Sequence, residues 1–472
     1  MEVDTLLKFI TIAIGFYMAW NIGANDVSNA MGTSVGSKAL SLKKAVILAA
    51  ILEFTGAFFL GSRVSVTIQS GIIHSNLFEA DPMIFVLGMM SSLISTGIWL
   101  HLASFFKLPV STTHAIIGAL VGFGLLIGGF LAINWMHVFF ITASWLISPV
   151  ISGFISYIIF TILQRKIFFT INPVESTKKI VPYFVFCAFF VFSLSLIFQG
   201  LSNLHLNLSF SSAVVVSFII GLIASFISKL LLKRVKSTHS SPQRCANPQL
   251  LVNIEKASKH LQRTQLNSCG NTCEKSKKIL SELKELKKTI EEETKFSPIA
   301  TEYTVVEKTF VHLQLFSAAL VAFAHGANDV ANAIGPVSAV FQVLRTKVIN
   351  FQAQISTWVL LLGSLGIVIG LATWGWRVIE TIGKKITELT PTRGFSAEFG
   401  AAITILFASK LGLPISTTHA LVGGVLGVGI ARGLAALNLR TLRDIVFSWI
   451  ITIPICAILS IFIFFLLKLL FL

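Results

Sequence analysis

The chain has 472 residues, of which 54% are hydrophobic and only 12% charged, against about 25% charged in soluble globular proteins. Apolar stretches of roughly 20 residues, the length that crosses a bilayer core, recur along most of it; they exclude a soluble domain and imply helical spans, which satisfy their own backbone groups in lipid. The formal net charge of +16 comes without the basic–aromatic modules of nucleic-acid binders, so nucleic acid is excluded as a partner and the charge is read as membrane topology.

The first apolar segment, near 5–22, follows "MEVD", an acidic start unlike that of a signal peptide, and runs straight into "IGANDVSNA". It is read as a retained first helix. Further spans are expected near 43–62, 83–105, 136–163, 182–199 and 211–232. After a hydrophilic segment come 310–325, 350–372, 396–411 and 444–471. Shorter helical pieces are expected near 26–37, 110–128, 329–343 and 415–430. The expected fold is therefore an all-α polytopic membrane protein of about 10–12 spans. Alternating strands of the kind that build outer-membrane barrels are absent from the sequence.

The hydrophilic segment carries 15 Lys/Arg against 9 Asp/Glu between Lys233 and Lys308. With Lys229, Lys233, Arg234 and Lys236 beside a span end, it marks the cytoplasmic side; attraction to anionic lipid is the companion reading. Within it, 274–295 reads as an amphipathic helix with Ile279, Leu283, Leu286 and Ile290 on its apolar face. Cys187 and Cys456 fall in apolar spans, while Cys245, Cys269 and Cys273 fall in the cytoplasmic segment, where no disulfide is expected. Cys269 and Cys273 with His260 are a weak match to zinc spacing.

The chain contains an internal duplication. "GAND" begins at Gly23 and again at Gly326, 303 residues later; "LPVSTTHAIIGALVG" begins at Leu108 and "LPISTTHALVGGVLG" at Leu413, 305 residues later. The organisation read from this is a first transmembrane repeat over 1–135, additional spans over 136–232, the cytoplasmic segment over 233–309, a second repeat over 310–435 and a C-terminal span over 436–472. Duplicated halves of this kind characterise secondary transporters. If the repeats are inverted, the second starts at the cytoplasmic side and the N-terminus lies outside.

Acids in lipid are costly and functional by default. Outside the cytoplasmic segment, Glu2, Asp4, Glu79, Asp81, Glu175, Glu380, Glu388 and Asp444 are terminal or lie in connections and span ends. Asp26, Glu53, Asp329 and Glu398 lie within spans. Gly23 and Gly326 tolerate unusual backbone angles, and Asn25/Asp26 and Asn328/Asp329 favour N-caps, so each signature is expected to break a helix. The exposed carbonyls with the amide and carboxylate oxygens form a hard-oxygen set for Na⁺, or for H⁺ at an aspartate. Asn29 and Asn332 lie one turn further on the same face.

In the second motif, Pro109 and Pro414 suit a helix start. Ser111, Thr112, Thr113 and Ser416, Thr417, Thr418 then supply hydroxyls and free N–H groups, an oxyanion site favoured by the helix dipole. Two such termini could surround a tetrahedral anion such as phosphate. His114 and His419 follow, either donating to the anion or orienting a backbone carbonyl. Glu53 and Glu398 are not repeat-equivalent by these offsets, which pair them with Ser356 and Leu93; a coupling role, or a salt bridge to Arg63 or Arg393, is expected. Whether His325, where the first copy has Ile22, adds protonation sensitivity is left open.

At these residues the sequence resembles the inorganic phosphate transporter (PiT) family of sodium- or proton-coupled phosphate permeases: "GANDVSNA" and "GANDVANA" match its duplicated signature, and the Pro-x-Ser-Thr-Thr-His strings its second element. The resemblance implies an inverted-repeat helical fold with broken or re-entrant helices, a homodimer, and phosphate held mid-membrane. It implies that Asp26 and Asp329 are the essential aspartates and that the six Ser/Thr hydroxyls contact phosphate. It further implies that Asn25 and Asn328 join the aspartates around Na⁺, and that Glu53 and Glu398 are required acids. Some relatives carry an acid near Leu93, where this chain has none. No cofactor is expected beyond transported phosphate and the coupling ion, and the expected setting is the plasma (cell inner) membrane. The competing readings are transport of another tetrahedral oxyanion, sulfate or arsenate, and an intramembrane hydrolase built from Ser/Thr, His and Asp.

Overall fold

The computed structural model describes residues 3–197, 208–235, 248–266, 270–295, 298–349, 355–379, 389–433 and 438–472. Glu2, Lys236, Cys245, Cys269, Glu380 and Glu388, named above, lie outside them. Among the described residues the regular structure is helical, with one isolated antiparallel bridge between Ile73 and Ile133.

In chain order the helices are α1 (Val3–Gly36), α2 (Leu42–Leu60), α3 (Ser62–Ser70), α4 (Pro82–Phe105), α5 (Thr112–Gly128), α6 (Trp135–Leu163), α7 (Pro173–Ser195) and α8 (Phe210–Leu232). They continue as α9 (Pro248–Leu266), α10 (Asn271–Lys295), α11 (Pro298–Asp329), α12 (Ala331–Thr346), α13 (Thr357–Thr373), α14 (Pro391–Lys410), α15 (Thr417–Arg432) and α16 (Leu439–Phe471). Among the described residues eight helical stretches are long and apolar enough to cross a membrane, nine if the bent pair α2–α3, at 62°, is counted as one span. α13 is apolar but only 17 residues long. The chain is thus an all-α, multi-pass membrane protein.

The larger unit comprises Met1–Thr161, Phe186–Leu222 and Phe310–Leu472. Here α1 packs along α13, α2 also meets α13, and α3 meets α12; α4 and α5 pack on α16, and α14 on α15. Small residues set the distance at two matching places. Gly118 and Gly122 of α5 abut the backbone at Ile453 and Ala457 of α16, while Gly423 and Gly427 of α15 abut Pro149 and Gly153 of α6. Such close approach is how helices associate in lipid, where no hydrophobic force drives them together.

The second unit comprises Ile162–Val185 and Ile223–Thr309. The amphipathic helix expected near 274–295 is α10, and it pairs with α9, a helix the sequence reading did not anticipate. The apolar face is rotated from the expected one. Ser276, Leu280 and Ile290 are buried, whereas Ile279 and Leu286 are exposed. Cys273, Leu283 and Lys287 are half-buried between them, completing a 3-4 repeat of the coiled-coil kind. Lys287 reaches Glu255 of α9 at 3.7 Å, and the Tyr303 hydroxyl donates to Phe168 O at 2.6 Å.

Candidate functional site

Both Gly-Ala-Asn-Asp signatures sit inside long helices. The expected break appears in neither copy: Val330, between α11 and α12, keeps helical angles (φ −56°, ψ −31°), and the i→i−4 bonds Val330 N to Gly326 O (3.4 Å) and Ile334 N to Val330 O (3.0 Å) carry the helix through, one stretch over Glu302–Thr346. In the first copy α1 runs unbroken from Val3 to Gly36, so Asn25 and Asp26 are mid-helix residues and not caps. The glycines serve close approach instead. A Cβ on Gly23 would sit 1.9 Å from Ile367 O, and one on Gly326 2.2 Å from Glu53 O. Only a residue without a side chain lets those backbones touch.

The asparagines form a repeated network. Asn25 Nδ2 donates to Ser104 Oγ (3.0 Å) and Leu108 O (3.2 Å). Its counterpart Asn328 donates to Ser409 Oγ (3.0 Å) and Leu413 O (3.1 Å). One turn on, the bonds cross between the halves. Asn29 Nδ2 reaches Thr418 Oγ1 (2.8 Å) and Asp26 Oδ1 (3.2 Å), while Asn332 Nδ2 lies 3.3 Å from both Thr112 Oγ1 and Thr113 Oγ1. The amide nitrogens are all engaged, yet Oδ1 of Asn25, Asn29, Asn328 and Asn332 is buried without a donor among the described residues. A buried carbonyl oxygen left without a donor is costly, and amide carbonyl and carboxylate oxygens are the ligand types of hard cations.

The two Ser-Thr-Thr segments open α5 and α15. Ser111 and Ser416 are the N-caps, accepting from His114 N (3.3 Å) and His419 N (3.2 Å). The preceding turns require a left-handed residue, Lys107 in one half and Gly412 in the other. The segments bind each other reciprocally, Thr113 Oγ1 donating to Ile415 O (2.9 Å) and Thr418 Oγ1 to Val110 O (3.3 Å). Thr417 Oγ1 donates to Asp329 Oδ2 at 2.8 Å. The hydroxyls are therefore not six equal donors. Those of Thr113, Thr417 and Thr418 are committed, leaving Ser111, Ser416, Thr112 and the first free N–H groups of each helix for an anion.

His114 and His419 settle on backbone carbonyls, the second of the two roles expected of them. His114 Nδ1 lies 3.3 Å from Trp449 O, and His419 Nδ1 2.9 Å from Trp145 O. Because a carbonyl only accepts, Nδ1 carries the proton in each. Among the described residues Nε2 of neither ring has a hydrogen-bond partner, so no hydroxyl there sits on a histidine as a nucleophile–base pair would.

The acids depart from expectation. Glu53 faces His325 and not Arg63, whose guanidinium reaches Lys410 O. His325 Nδ1 lies 3.3 Å from Glu53 Oε1, and its Nε2 lies 3.1 Å from Asp329 Oδ2 and 3.9 Å from Asp26 Oδ2. All four side chains are buried. Glu398 needs no arginine, because hydroxyls and an amide surround it. It accepts from Thr33, from Ser34 Oγ (2.7 Å), from Gln314 Nε2 (3.3 Å) and from Ser317 Oγ.

Residues not foreseen from the sequence are Ser104, Ser409, Thr33, Ser34, Gln314, Ser317 and the two tryptophans. The rings of His114 and His419 pack on Trp145 and Trp449, with centroids 3.9 and 3.6 Å apart. A signal for the tryptophans existed: "SWLI" at Ser144 recurs as "SWII" at Ser448, 304 residues later.

Residues 22–460 match the sequence model of the Phosphate transporter family. The chain is 42% identical to inorganic phosphate transporter 2-1, chloroplastic, of Arabidopsis thaliana, over 97% of this chain and 71% of that protein. It is also similar to a solved structure described as the sodium-dependent phosphate transporter, at 34% identity and a TM-score of 0.80, covering 98% of this chain and 99% of that one.

Proposed function

Because this chain belongs to the phosphate transporter family, a family of transporters and not of enzymes, we propose that it imports inorganic phosphate by symport with Na⁺ or H⁺. The anion is held between the starts of α5 and α15, by the free N–H groups together with Ser111, Thr112 and Ser416. The remaining hydroxyls of the two motifs, on Thr113, Thr417 and Thr418, shape the site, and Asp26 and Asp329 border it. The coupling ion binds the oxygens of Asn25, Asp26, Asn328 and Asp329, with Asn29 and Asn332 adding theirs. The acids Glu398 and Glu53 complete the cation machinery, Glu398 at its own polar pocket.

The observation that carries this reading is the asparagine network. Each amide nitrogen is anchored while each buried carbonyl oxygen lacks a donor, and the anchors of Asn29 and Asn332 are threonines of the opposite half's helix start. Cation ligands and anion donors are therefore wired together, which is what coupling requires. Symport supplies the drive against a negative interior, since one charge moved across 100 mV is worth ~2.3 kcal/mol. The name of the structural neighbour supports Na⁺.

In the same reading the protein works as a homodimer in the plasma (cell inner) membrane, with residues 233–309 cytoplasmic and the N-terminus outside. Labelled phosphate uptake into proteoliposomes tests the proposal. Uptake should require an inward Na⁺ gradient or, failing that, a pH gradient, and unlabelled phosphate should compete better than sulfate. No uptake under either gradient would refute it.

A further inference from the structure

We propose that Glu53 is a positioning residue that acts through His325, the two forming a polar pair at one of two equivalent contacts between the repeats, where the other contact carries Ile367 and Ile22. The functional half of this inference rests on the transport reading above.

The helix contacts fix the register. A Cβ on Gly56 would meet Phe323 O at 1.9 Å, and one on Gly370 would meet Trp20 O at 1.8 Å. Likewise Gly326 abuts Glu53 O and Gly23 abuts Ile367 O. Phe323 and Gly326 stand 303 residues after Trp20 and Gly23, while Gly370 and Ile367 both stand 314 after Gly56 and Glu53. The counterpart of Glu53 is therefore Ile367, not the Ser356 that the motif offset gives, because α2 and α13 are offset differently from the signatures. The counterpart of His325 is Ile22. Two positions differ together: glutamate and histidine at one contact between the repeats, two fully buried isoleucines at its counterpart.

The pair has a directional consequence. Neither oxygen of Glu53 has a hydrogen-bond donor among the described residues, in contrast to the four donors on Glu398. The group facing Glu53 is His325 Nδ1 at 3.3 Å. The contact is one of proximity and charge, since neither ring nitrogen of His325 makes a hydrogen bond among the described residues; with Nδ1 turned to Glu53, Nε2 points between the two aspartates, nearer Asp329 (3.1 Å) than Asp26 (3.9 Å). Asp329 Oδ2 also takes the Thr417 hydroxyl, whereas Asp26 Oδ2 has no hydrogen-bond partner. Each aspartate thus has one engaged oxygen, Asp26 Oδ1 by Asn29 and Asp329 Oδ2 by Thr417, and the pair makes the two inequivalent by setting the His325 ring nearer Asp329 than Asp26.

Two double-mutant cycles test this. In the first, wild type, Glu53→Ile, His325→Ile and the double variant, which copies the apolar contact, are compared by thermal unfolding in detergent. Each single should lower Tm or abolish folding, and the double should recover at least half of the larger loss. A double variant no more stable than the worse single overturns the pairing. In the second, Glu53→Gln, His325→Gln and their double are titrated with Na⁺ while binding of labelled phosphate is measured. Each single should raise the half-saturating Na⁺ about tenfold and the double about tenfold also, where independent ligands would give about a hundredfold. Phosphate affinity at saturating Na⁺ should stay within about threefold of wild type, since the loss is expected at the cation site. A multiplicative loss makes Glu53 a ligand in its own right and overturns the positioning role. Wild type that neither binds nor takes up phosphate would instead refute the transport reading, and the unfolding cycle would still decide the pair.

Discussion

Gly23→Ala separates two roles for the signature glycine by the sign of its effect. If Gly23 loosened the helix, alanine would stabilise α1 by about 0.5–1 kcal/mol. In the structure the new Cβ would lie 1.9 Å from Ile367 O and 2.9 Å from Leu371 N, both backbone atoms that no rotamer change can move. Restoring a carbon–oxygen separation of about 3.3 Å forces α1 and α13 roughly 1.4 Å apart. Overpacking of this kind costs about 1–3 kcal/mol, more than the propensity gain. Asp26 lies one turn along the same helix, and displacements near 1 Å at a reacting site can cost about a hundredfold. Thermal unfolding should show a lowered Tm, and phosphate uptake should fall at least about tenfold. An unchanged or raised Tm would refute the close-approach argument and restore the helix-breaking role.

Three further outcomes follow from the site. Thr417→Val removes the donor to Asp329 Oδ2; hydrogen bonds to charged groups are worth about 1.5–3 kcal/mol, so the half-saturating cation concentration for uptake should rise about 10- to 150-fold, with Thr417→Ser retaining most affinity. Ser317→Ala withdraws the donor on Glu398 Oε2 and should raise the half-saturating cation about tenfold or more while moving the phosphate KM less, as paired titrations would show. Trp145→Phe should lower Tm more than Trp449→Phe, because Trp145 Nε1 donates to Pro414 O at 3.2 Å while Trp449 Nε1 has no acceptor; the expected difference is about 0.5–1.5 kcal/mol.

The sequence by itself determined what can be read along a line. Apolar run lengths placed α4, α6 and α8 to within about two residues, the tolerance of any helix boundary. The recurrence of Gly-Ala-Asn-Asp and Leu-Pro-x-Ser-Thr-Thr-His picked out Asn25, Asp26, Asn328, Asp329 and both helix starts, because acids and amides in lipid are too costly to be incidental. Helix caps were legible for the same local reason: Ser111 and Ser416 act within one turn of chain.

Tertiary structure decided everything that depends on which helix touches which. Gly23 reads in sequence as a hinge, since a glycine's missing side chain looks the same whether it frees its own backbone or admits another. The partners of Glu398, drawn from α1 and α11, lie far from it in sequence, and the partner of Glu53 is a histidine that precedes the second signature. No periodicity links such residues. The register that equates Glu53 with Ile367 was hidden for a plainer reason: connections differ in length between the halves, so one offset fits the motifs and another fits the helices that pack on them. Only the packing shows that the duplicated halves are built alike around the asparagines and differently around His325.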